Sequence, residues 1–184
     1  MYNTKPKHYM NTLLTKLNLL TTTTIELPIE KYNFVSIVNA SIDHSDLGYF
    51  SDMGDIFSSS KAEYKGHINS YGFKLKKKRK FFDYNMNFAT AEGRFTQQGD
   101  TLKINVEING FLNRMIPFII LVPIFYLLFF IMTLQGGGPE ASIIAIPFLL
   151  IHGLFMIGIP YFIMRRSVKR MQYELERDFY FMIK

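Results

Sequence analysis

The sequence predicts a membrane protein: a cytoplasmic α+β domain (an antiparallel β-meander with one or two helices), a two-helix transmembrane hairpin, and a C-terminal amphipathic helix. Three observations carry this expectation. Two long runs without Asp, Glu, Lys or Arg occupy residues 115–134 and 141–164. The segment just before them alternates apolar and polar residues with the period of a half-buried strand. The segment just after them sets Val168, Met171, Leu175, Phe179 and Met182 on one helical stripe.

The elements follow in order. Met10, Leu13, Leu14, Leu17 and Leu20 recur at helical spacing, so the chain opens with a short amphipathic helix that packs on its domain, with contact to a membrane surface as the alternative. Asn11, Lys16 and Asn18 interrupt that stretch and exclude a signal-peptide core. Residues 21–28 have β-branched character. Residues 29–41 read as a helix, with Phe34, Ile37 and Val38 at three-to-four spacing. Residues 43–60, rich in Asp, Gly and Ser, read as a long loop. Strand-like segments 61–69 and 72–77 flank a turn at Ser70-Tyr71. A run over 81–95 carries a bend signal at Gly93, and Gln97-Gln98-Gly99-Asp100 is a hairpin signal. Residues 101–109 are the clearest strand: Leu102, Ile104, Val106 and Ile108 share one face, Lys103, Asn105, Glu107 and Asn109 the other. The expected sheet is a meander of about four strands. The expected boundaries are 1–114 for the domain, 115–164 for the hairpin and 165–184 for the amphipathic helix.

Each apolar run is long enough to cross a bilayer core of about 30 Å. The chain has 21 basic residues, a net charge of +6 and no Cys. All 21 lie outside the two runs. Arg114 precedes the first, and Arg165, Arg166, Lys169 and Arg170 follow the second as membrane anchors, whereas residues 135–140 between them have no Lys or Arg. The positive-inside rule then places both termini in the cytoplasm, as in a multi-pass protein of a bacterial inner membrane.

Function is less legible. Without Cys there is no disulfide, cysteine zinc site or thiol nucleophile. No nucleotide-binding glycine loop, serine-hydrolase or zinc-protease motif occurs, and no catalytic residue, cofactor or metal site is assigned. Glu92 and Glu107 could meet across strands, as any two strand residues could. The acidic loop Asp43, His44, Asp46, Asp52 and Asp55 has no EF-hand spacing. The densest signal is Lys74, Lys76, Lys77, Lys78, Arg79 and Lys80, bracketed by aromatic residues. It suits anionic lipid headgroups, at about 1 kcal/mol per basic residue near a surface. A partner protein, an anionic ligand or a plain solvated hairpin are the alternatives, and nucleic acid is disfavoured. Inside the second run His152 is expected to hydrogen-bond Tyr126 or Thr133 of the first, or a subunit, as a structural contact, with proton or ion handling as the alternative. The expected function is a non-enzymatic accessory or scaffold subunit of a membrane assembly, as a homo-oligomer or with a membrane-protein partner. The alternative is an effector whose β domain senses an anionic signal and whose spans oligomerise to perturb the bilayer.

Overall fold

A computed structural model describes residues 5–48, 60–78, 87–113, 115–136 and 139–184. The elements are α1 (Lys5–Lys16), β1 (Leu20–Leu27), α2 (Lys31–Ser41), β2 (Tyr64–Ile68), β3 (Gly72–Lys77), β4 (Thr90–Gln98), β5 (Thr101–Asn109), α3 (Met115–Gly136) and α4 (Pro139–Met182). The strands form one antiparallel sheet in the order β1-β5-β4-β3-β2. Four consecutive strands make a meander, and β1 returns to pair along the free side of β5.

The sheet thus has five strands where the sequence suggested about four. The additional strand is the threonine run, whose side chains show no hydrophobic alternation. Only its register with β5 sorts it: Thr23 and Ile25 stand opposite Val106 and Ile104, while Thr22 and Thr24 stand opposite Glu107 and Asn105. The 29–41 helix is α2. Strand β4 runs straight through Gly93, which makes space and no bend: a Cβ there would overlap the Phe73 ring across the strand pair. The Gly99-Asp100 turn closes β4 onto β5 with Gln98 opposite Thr101, and Gly99 takes the left-handed conformation at φ 57°. At the β2–β3 turn the Asn69 side chain accepts from the Tyr71 and Gly72 N–H groups, at 2.9 and 3.1 Å. That Asx turn lies one residue before the Ser70-Tyr71 signal.

The inner face of the sheet carries Ile25, Leu27, Leu75, Ala91, Leu102, Ile104, Val106 and Ile108, all buried. Two helices cover it. Phe34 and Val38 come from α2, and Met164, Val168, Met171, Leu175 and Phe179 come from the C-terminal part of α4. Phe34, Phe73, Phe95 and Phe179 meet edge-on or tilted at ring separations of 5.1 to 5.9 Å. Each such contact adds about 0.5–1.5 kcal/mol beyond area burial. Polar ties run along the same helix: the Phe88 N–H donates to Ser167 Oγ at 3.2 Å, Tyr64 to Asp178 Oδ2 at 2.7 Å, and the Tyr180 hydroxyl to the Glu26 carbonyl at 2.8 Å.

Met1–Phe111 and Met164–Lys184 accordingly form one compact unit, and Leu112–Ile163 forms a second. The 165–184 stripe is part of the first unit's core, because those apolar residues are what the inner sheet face buries. The second unit holds apolar helix over Met115–Gln135 and the apolar start of Ile146–Met182, both long and apolar enough to cross a membrane. Its outward side chains include Leu121, Phe125, Leu128, Met132, Leu150 and Leu154.

Replacing Phe179 by Ala is expected to destabilise the domain by about 3–5 kcal/mol, since the Phe34 and Phe73 rings lose their common partner. Tyr173→Ala, on the exposed side of the same helix, should stay within about 0.5 kcal/mol. Urea unfolding of the detergent-solubilised protein measures both.

Candidate functional site

Strand alternation leaves the outer sheet face polar. One cross-strand row spans all five strands: Thr22, Glu107, Glu92, Lys74 and His67 are successive register partners. The adjacent row holds Thr24, Asn105 and Arg94, and the Thr24 hydroxyl donates to Asn105 Oδ1 at 3.1 Å. These residues, with Asn11 of α1 and Tyr71 of the β2–β3 turn, line an open groove of about 880 Å³. Glu92 and Glu107 do stand side by side, and like charges opposite each other cost a few tenths to about 1 kcal/mol. Lys74 offsets this by pairing with Glu92 at 2.5 Å. The pair is half exposed, so it contributes below about 1 kcal/mol and acts mainly to orient the two side chains.

Lys77 and Lys78 turn away from this groove, whereas Lys76 shares the sheet face of Lys74 without lining it. Lys76 and Lys78 are buried. Lys78 donates to Asp43 Oδ2 at 2.6 Å, and this bond holds the Asp43 carboxyl below the ordinary aspartate value. Lys77 lies 3.0 Å from Glu174 Oε2 and 3.6 Å from Glu63. Arg170 donates to the other Glu174 oxygen at 2.7 Å. Burial works against ionisation of Glu174, but the hydrogen bonds from Arg170 and Lys77 outweigh it, and the carboxyl lies below its ordinary 4.5. Burial, then the Asp178 carboxylate, pushes Tyr64 far above the ordinary tyrosine value, so its hydroxyl stays a donor. Lys77 and Lys78 are thereby bonded to carboxylates from the 43–48 segment, the residue before β2 and α4. Arg79, Lys80 and Arg114 lie outside the described residues, as do Asp52 and Asp55.

Arg165, Arg166, Lys169 and Arg170 occupy the α4 turns that follow the apolar segment, and Arg170 is committed to Glu174. Within the second unit the Tyr126 hydroxyl bonds His152 Nδ1, and the Phe148 ring stacks on the imidazole at 5.7 Å. Thr133 instead donates to the Phe129 carbonyl one turn back in its own helix, at 2.9 Å. An apolar groove of about 700 Å³ runs along this helix pair past Pro123, Phe130, Leu150, Gly153 and Gly158. Among the described residues no three His, Asp or Glu side chains converge as metal ligands.

The outer-face row was partly readable, because hairpin registers from Gly99-Asp100 and Asn69 fix Glu92 beside Glu107 and His67 beside Lys74. Asp43, Glu63 and Glu174 as partners of the basic run carried no sequence signal, since each is remote in the chain.

Glu174 ionises more readily folded than unfolded, so its contribution is present above about pH 4.5 and is lost as pH falls through the lower folded value. The unfolding midpoint should hold steady from neutrality to about pH 5 and drop below it. Glu174→Gln should lower the neutral plateau and flatten the acid limb, as read by thermal scans across pH.

Comparison of the chain with protein-family models, with curated protein sequences and with solved structures returns no match, so the functional reading rests on the residues and their geometry.

Proposed function

We propose that this chain is a two-pass inner-membrane protein whose cytoplasmic domain acts as a non-enzymatic scaffold, an accessory subunit that docks a partner polypeptide at the membrane. One observation carries the reading. The chain leaves the domain after β5 and returns to it at Met164, and the domain fastens these two points together. A Cβ at Gly110 would lie 2.7 Å from the Met164 carbonyl oxygen and against the Val168 side chain. Only glycine allows that approach. A hairpin held at both feet starts and finishes on one side of a bilayer, and the Lys/Arg distribution favours the cytoplasmic side.

The outer groove supports docking of a polypeptide. Its floor offers both signs of charge together with hydroxyls and an amide, in fixed rows. A polyanion would meet Glu92 and Glu107 there. The paired state of Lys74, Lys77 and Lys78 likewise weighs against the alternative of an effector gated by an anionic signal. Within the bilayer, the apolar groove beside Gly153 and Gly158 suits a helix of a second copy or of a membrane-protein partner.

Absence of native Cys allows a direct test. Gln135→Cys should react with a membrane-impermeant maleimide in intact cells, and Tyr71→Cys only after permeabilisation. Labelling of Tyr71→Cys in intact cells overturns the orientation. Protein purified gently from its host should carry a stoichiometric partner that Arg94→Glu with Glu107→Lys releases. A partnerless monomer, or ion leakage that depends on Lys77, contradicts the scaffold reading.

A further inference from the structure

Helix α1 turns most of its apolar stripe away from the domain. Leu14 is buried, whereas Tyr9, Met10, Leu13 and Leu17 are 74%, 46%, 57% and 39% exposed. At about 100° per residue these four cover a single arc roughly 100° wide, the width an amphipathic helix ordinarily buries. A stripe of this kind facing water is unfavourable, so something covers it.

Position and charge identify what. The chain passes from α1 through Asn18, held in the left-handed conformation at φ 55°, into buried Leu19 and Leu20. The Leu19 carbonyl accepts the Gly110 N–H at 2.9 Å. Gly110 in turn lies against the Met164 backbone. The end of α1 is therefore fastened beside both points at which the chain passes between the domain and the apolar hairpin. From residue 5 to residue 25 the sequence has Lys5, Lys7 and Lys16 and no Asp or Glu. An apolar arc with basic residues and no acidic ones, fixed at the foot of a membrane hairpin, has the chemistry of a helix lying in the headgroup layer.

We infer that α1 is an in-plane membrane anchor that seats Tyr9, Met10, Leu13 and Leu17 in the headgroup region of an anionic bilayer. The inference rests on reading α3 and the first part of α4 as membrane-spanning. It gives the domain a third attachment beside the two feet of the hairpin, which fixes its orientation on the surface. Asn11 of the same helix lines the outer groove, so seating α1 brings that rim of the groove to the bilayer, where a membrane-bound partner meets it.

The chain has no Trp, so single-Trp variants report cleanly. Leu13→Trp substitutes an exposed side chain and leaves the core intact. The full chain is reconstituted into vesicles of phosphatidylcholine and phosphatidylglycerol, with Leu128→Trp in α3 as the reporter for the spans. The inference expects Leu13→Trp emission to be blue-shifted and to lose most of its intensity to lipids brominated near the headgroup. It also expects this quenching to weaken when phosphatidylglycerol is omitted. Water-like emission quenched by aqueous iodide overturns it. Blue-shifted emission that brominated lipid does not quench overturns it too, and assigns the stripe to a second copy or another protein. Loss of lipid quenching at Leu128→Trp rejects the membrane reading itself. Quenching at Leu128→Trp without quenching at Leu13→Trp rejects the anchor alone.

Discussion

The structure depends on the packing of the last two dozen residues against the inner face of the sheet. The strands present a continuous apolar surface from Leu27 and Leu102 to Ile108 and Leu75, and α2 covers only part of it. Val168, Met171, Leu175 and Phe179 supply the remainder. Each is fully or nearly fully buried, and burial of such a side chain contributes about 1.5–3 kcal/mol. Removing four of them would consume most of the 5–15 kcal/mol that a domain ordinarily has. The domain is consequently discontinuous: its last helix arrives only after the chain has run through the apolar hairpin. Folding of the sheet and placement of the hairpin become one problem.

Electrostatics follows the same constraint. Lys77 and Lys78 look, in sequence, like free charge. The helix and the 43–48 segment bring Glu174 and Asp43 to them, and both carboxylates are held below their ordinary values. Isolating one partner of such a buried pair costs about 3–5 kcal/mol, far more than a surface pair such as Lys74–Glu92 contributes. Three of the described lysines of the 74–78 stretch therefore divide: Lys74 lines the outer groove, whereas Lys77 and Lys78 hold the C-terminal helix and the 43–48 segment in place.

What the sequence disclosed follows from how local each signal is. The β5 alternation, the Gly99-Asp100 turn, the α2 spacing and the two apolar runs are local patterns, and each marks an element that forms. The Thr21–Thr24 run has no such pattern, because threonine serves both faces, and its role emerges only opposite β5. The stripe at 168–182 announced an amphipathic helix without naming what it would cover, since its strands lie across the hairpin. For the same reason 165–184 read as a separate piece. Gly93 carried a turn signal, whereas its actual reason is the Phe73 ring on the neighbouring strand. At the candidate site, Glu92 beside Glu107 and His67 beside Lys74 could be assembled from hairpin registers, but Thr22 beside Glu107, Lys74 beside Glu92 and the enclosure of the groove by α1 could not.

The most direct measurement is amide hydrogen exchange on the full chain compared with a chain ending after Met164, both in the same detergent or nanodisc. If the C-terminal helix completes the core, Ala91, Gly93, Ile104, Val106 and Ile108 are strongly protected in the full chain and exchange freely in the shortened one. Unchanged protection of those five amides after removal of the helix would contradict the account.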